Sequence, residues 1–64
     1  MKVIRDSAYR EIEVVSDGDD ELTDEQAQTF AEQHLRDEGA DRDWDFDGVE
    51  RISPQRVVVK FVGW

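Results

Sequence analysis

The segment Arg56-Val57-Val58-Val59-Lys60-Phe61-Val62-Gly63-Trp64 constrains this chain more than any other feature. Its β-branched and aromatic side chains suit a pleated, packed surface. Because the apolar positions run on without strict alternation, the segment is expected to be a strand buried largely on both faces or lying under a helix, at the centre of a sheet. With 64 residues in all, the sequence supports one compact domain, residues 1–64. A domain of that size buries only about 60% of the surface its unfolded chain exposes, which leaves little room for a deep cleft.

The remaining apolar residues fall into blocks that can pair with this strand. Lys2 to Val15 contains Val3, Ile4, Tyr9, Ile12, Val14 and Val15, and it reads either as a hairpin divided at Ser7-Ala8 or as one irregular strand. Ser16 to Glu21 has no apolar member and is a loop. Trp44 and Phe46 alternate with Asp43, Asp45 and Asp47, and Val49 and Ile52 resume on a shifted phase after Gly48, which marks a bulge. Ser53-Pro54-Gln55 makes a turn.

Between these blocks lies a helix. Thr23 with Gln26 three residues on forms a capping box, and Asp24 and Glu25 place negative charge on the positive end of the helix dipole. Ala27, Phe30, Ala31, His34 and Leu35 recur at helical spacing over Asp24 to Glu38, and Gly39 follows as a stop signal. The expected fold is α+β, with one helix packed on a three- to four-stranded, mostly antiparallel sheet. The expected core is Val3, Ile12, Val14, Phe30, Ala31, Leu35, Trp44, Phe46, Ile52, Val57, Val59 and Phe61, with Trp64 closing an edge.

Several chemistries find no support in the residue types. The chain has no cysteine and one histidine, so disulfides, thiolate nucleophiles and Cys- or His-rich metal sites are excluded, and neither metal nor cofactor is expected. His34 and the serines match no nucleophile motif, His34 lies on the helix's apolar stripe, and no enzymatic activity is expected. No apolar run approaches the roughly 18 residues of a spanning helix, and the N-terminal residues lack a signal-peptide core. The sequence reads as soluble and intracellular, with no membrane partner.

Charge is distributed unevenly. Residues 17–50 carry fourteen carboxylates and two bases, whereas residues 1–16 are balanced and residues 51–64 carry three bases and no acid. Asp17, Asp19, Asp20, Glu21, Asp24 and Glu25 lead into the helix. Asp41, Asp43, Asp45 and Asp47 follow it at alternate positions, which on one strand face stand about 6.6 Å apart. Such a row offers regularly spaced negative groups, as DNA does, to a Lys- and Arg-lined channel that normally binds phosphates. Few and scattered bases argue against direct nucleic-acid binding.

Two alternatives attach to the same acids. Asp43-Trp44-Asp45-Phe46-Asp47-Gly48 matches the opening half of an EF-hand calcium loop, but counting from Asp43 the twelfth position is Pro54 instead of the bidentate Glu, and no second helix follows. Acid excess, with two Lys against six Arg, also fits adaptation to high salt, where the charge serves solubility and the binding function is unspecified.

In its length, lack of cysteine, acidic stretch Asp17 to Glu25 and Asp41/Asp43/Asp45/Asp47 row on a compact α+β body, the chain resembles the small acidic inhibitors of bacteriophages and mobile elements. It is similar in particular to anti-CRISPR proteins proposed to act through an anionic surface. The resemblance is of kind, without a diagnostic motif. It implies a non-catalytic, monomeric inhibitor in the cytoplasm of a bacterial host, and a partner that is a basic, Cascade-type subunit of a type I effector, which normally grips target DNA or the guide.

Overall fold

A computed structural model describes residues 1–63; the expected role of Trp64 lies outside the described residues. The elements are β1 (Lys2–Asp6), β2 (Glu11–Val15), α1 (Asp24–Asp37), β3 (Trp44–Ser53) and β4 (Arg56–Gly63). They form a four-stranded antiparallel sheet in the order β1-β2-β4-β3 with α1 on one face, an α+β fold. β4 is central, as its composition requires. Val57, Val59 and Phe61 point toward the helix together with Ile12 and Val14 of β2, and all five are buried.

The helix begins and ends on satisfied backbone groups. Thr23 Oγ1 accepts from the Gln26 N–H at 3.1 Å, and Gln26 Oε1 accepts from the Thr23 N–H at 3.0 Å, which completes the capping box. At the other end Gly39 adopts φ +74°, its N–H donates to the Arg36 carbonyl at 3.1 Å, and the Ala40 N–H donates to the Leu35 carbonyl at 2.8 Å. This is a Schellman closure, which glycine enters without a Cβ penalty. Ala27, Ala31 and Leu35, four residues apart, form the buried line of α1.

Residues 1–15 form a hairpin. The Arg10 N–H donates to the Ser7 carbonyl at 3.0 Å, with Ala8 at φ 51° and Tyr9 at φ 67° between them. Two positive φ values are the mark of the tight hairpin turn that follows strand twist, but Asn and Gly usually occupy it. Here the conformation is imposed from outside: Asp6 Oδ1 accepts the Tyr9 N–H at 2.7 Å, and the Tyr9 ring meets Trp44 edge-on at 6.1 Å between centroids. Nothing in the Ala-Tyr dipeptide itself asks for this turn.

Two expected core residues are corrected. Phe46 is 41% exposed and Ile52 is 52% exposed, because β3 is an edge strand and Ile52 is the extra residue of a register shift between Arg51 and Ser53. Val3, Phe30 and Trp44 are half-buried against the core. Leu22, Ala27, Ala40 and Val58 are buried although absent from the expected set. Leu22 precedes the N-cap and Ala27 is the fourth helical residue, so the pair occupies the positions of a hydrophobic staple, a signal the sequence carries.

Candidate anionic interface

The open face of the sheet, opposite the helix, carries three paired cations, Arg5, Arg56 and Lys60. Arg5 meets Glu11 and Glu13 at 3.1 Å each, Arg56 meets the other oxygen of Glu13 at 3.2 Å, and Lys60 meets Glu50 at 3.6 Å. Hydrogen bonds donated to Glu13, and then to Glu11, hold the Arg5 guanidinium more firmly protonated than usual. These pairs flank Val58, whose ladder partners are Glu13 and Glu50. Strand periodicity fixes this arrangement, since alternate residues of β2 and β4 share a face. It is a charge-compensated surface.

The acids expected to bind a partner lie elsewhere and divide into two groups. Asp17, Asp19, Asp20, Glu21, Asp24 and Glu25 are exposed around the N-terminal end of α1. Asp17 Oδ2 accepts from the N-terminal ammonium at 2.7 Å, and that hydrogen bond, with the same group's charge, holds its carboxyl below the ordinary carboxylate value. Asp24 pairs with Arg51 at 2.8 Å. Arg51 also donates to the Leu22 carbonyl at 2.6 Å and the Ser53 carbonyl at 2.9 Å, which fastens the entry of the helix to β3.

Asp41, Asp43, Asp45 and Asp47 are exposed beyond the C-terminal end of α1, about 21 Å away along a helix of 14 residues at 1.5 Å each. They do not form the evenly stepped row expected from alternation. β3 starts only at Trp44, and Asp43 lies in a turn whose N–H donates to the Ala40 carbonyl at 3.1 Å. Asp45 pairs with Val62, and Asp47 is the extra residue of the shift between Phe46 and Gly48. The bulge stands where the phase change at Gly48 placed it.

The calcium half-motif therefore runs as extended, paired strand from Trp44 onward, and among the described residues no three carboxylate or histidine groups gather at one point. Among the described residues, Asp19, Asp20, Glu21, Glu25, Asp41, Asp43, Asp45 and Asp47 have no cation within 4.0 Å. Asp37, Glu38 and Asp41 also crowd the helix C-terminus, where the dipole disfavours negative charge. Sequence reasoning placed these acids before and after the helix, but not the break in the second row, because that depends on where β3 begins and bulges.

The described residues include no helix long and apolar enough to cross a membrane. No protein-family model, curated protein or solved structure matches the chain.

Proposed function

We propose that the protein is a non-catalytic inhibitor whose anionic surface takes the place of nucleic acid in the Lys- and Arg-lined channel of a basic partner, such as the Cascade-type subunit of a type I CRISPR effector. The observation that carries this reading is the segregation of charge. Arg5, Arg56 and Lys60 are paired with carboxylates on the open sheet face, while the carboxylates at both ends of α1 are left exposed, most of them unpaired, including several placed against the helix dipole. Acids kept where they cost stability are best explained by something they bind. Two acidic groups about a helix length apart would meet separate stretches of a basic channel, and binding would weaken as salt rises.

The test is competition between the wild-type protein and DNA for a purified type I effector complex at several salt concentrations. Displacement that fades with salt, and is largely lost when Asp41, Asp43, Asp45 and Asp47 are changed together to Asn in a variant that still folds, supports the proposal. No displacement by the wild type removes it for that partner. A fold that is lost in low-salt buffer and restored by molar salt would favour salt adaptation, because unscreened self-repulsion would then be the dominant consequence of the charge.

A further inference from the structure

Among the described residues Phe46 is the exposed aromatic of the helix-side surface, and salt adaptation gives no reason for it. Its ring packs edge-on against Phe61 at 6.2 Å between centroids while 41% of the residue remains open to solvent. The ring stands in a groove of about 270 Å³ between the end of α1 and the start of β3, lined by Glu32, Leu35, Arg36, Asp41, Phe46 and Phe61 among others. That volume is below the roughly 300–1,000 Å³ of a small-molecule pocket and suits a single side chain.

We propose that this groove receives an arginine side chain of the basic partner. The inference rests on the anionic-surface reading and names one anchoring contact within it. Three features of the groove favour a planar cation. Aromatic rings offer their negative faces to a guanidinium. Glu32 and Asp41 supply carboxylates at its rim. The C-terminal end of α1 contributes the negative end of the helix dipole. Arg36 is the one cation in the lining, its Nη2 donating to Gln33 Oε1 at 3.2 Å, and the three carboxylates of Glu32, Asp41 and Asp45 in the same lining outnumber it. Arginine is favoured over lysine because its flat, weakly hydrated group stacks on a ring while donating to carboxylates.

The probe is a capped hexa-arginine peptide, with capped hexa-lysine as comparison, titrated into the full chain and followed by backbone amide shifts and calorimetry. In the wild type the arginine peptide is expected to bind more tightly than the lysine peptide and to shift the amides of Leu35, Trp44 and Phe46. Phe46→Ala is expected to weaken the arginine peptide about two- to fivefold, the range of an exposed cation–π contact. Phe46→Leu, which keeps apolar bulk but removes the ring face, serves if the alanine variant does not fold. The pair Glu32→Gln/Asp41→Asn is expected to weaken binding more than Asp19→Asn/Asp20→Asn, which removes equal charge at the other end of α1. No binding by the wild type, equal losses from the two pairs, or an unchanged affinity on removing the ring would overturn the proposal. A groove that captures arginine in a protein that displaces no DNA would retire the channel reading alone. Displacement without groove preference would do the reverse.

Discussion

His34 Nε2 lies 2.8 Å from Asp6 Oδ2, a contact that joins the last turn of the helix to the end of an edge strand 28 residues earlier. A carboxylate only accepts, so Nε2 carries the hydrogen in this contact. The other oxygen of Asp6 accepts the N–H of Tyr9, one of two residues held at positive φ. One side chain thus secures both the helix and the hairpin turn.

Asp6→Ala is expected to lower stability by about 1–3 kcal/mol, since it leaves two donors without their acceptor and releases a turn with no intrinsic preference for its conformation. Thermal melting of the variant beside His34→Ala, which removes only one of the two contacts, should show the larger loss for Asp6→Ala. Equal losses would mean the turn does not depend on Asp6.

Burial separates two apolar residues near the candidate interface. Leu35→Ala is expected to cost about 2–5 kcal/mol, because Leu35 is 2% exposed and its removal opens a cavity in the core. Phe46→Ala should cost much less, its ring being open to solvent. Chemical denaturation of both variants checks the ranking, and a loss at Phe46 as large as at Leu35 would show that the edge ring is a core member.

Gly63 lies beneath the Trp44 ring. A Cβ built there comes within 2.9 Å of Trp44 Cη2 and Cζ3, so Gly63→Ala must displace the indole that Tyr9 packs against. Overpacking costs about 1–3 kcal/mol, more than the roughly 0.4–1 kcal/mol gained by stiffening the unfolded chain, and net destabilisation is expected. A Trp64→Phe background isolates Trp44 for fluorescence. An unchanged emission spectrum and melt would show that the ring moves freely.

The Asp17 carboxyl should titrate at lower pH than an ordinary carboxylate, because the N-terminal ammonium bonds to its charged form. A folded value below the unfolded one means that this contact stabilises the fold above the unfolded carboxylate pKa and is lost as pH falls through the folded value. Acetylation of the N-terminus removes the ammonium, and carboxyl-carbon NMR titration should then find Asp17 moved upward. An unmoved titration would place the cause elsewhere.

Local sequence was enough to place the central strand, the start of the helix and its end to within one residue, the bulge at Gly48 and the concentration of acid in residues 17–50. These are local properties, since β-branching, a Thr–Gln capping box, a glycine stop and a break in strand alternation each act within a few residues. It carried the staple of Leu22 and Ala27 as well, though that signal is faint beside longer apolar runs. Tertiary structure alone decided the rest. The turn at Ala8-Tyr9 is held locally by Asp6, three residues before Tyr9, but the Trp44 ring that packs against Tyr9 reaches it only in the folded chain. Phe46 and Ile52 are exposed because β3 lies at the edge of the sheet and is bulged, and an edge position follows from strand order. Asp41, Asp43, Asp45 and Asp47 lose their even spacing because β3 begins at Trp44 and bulges at Asp47, so acids that alternate in sequence occupy a turn, a strand and a bulge in space.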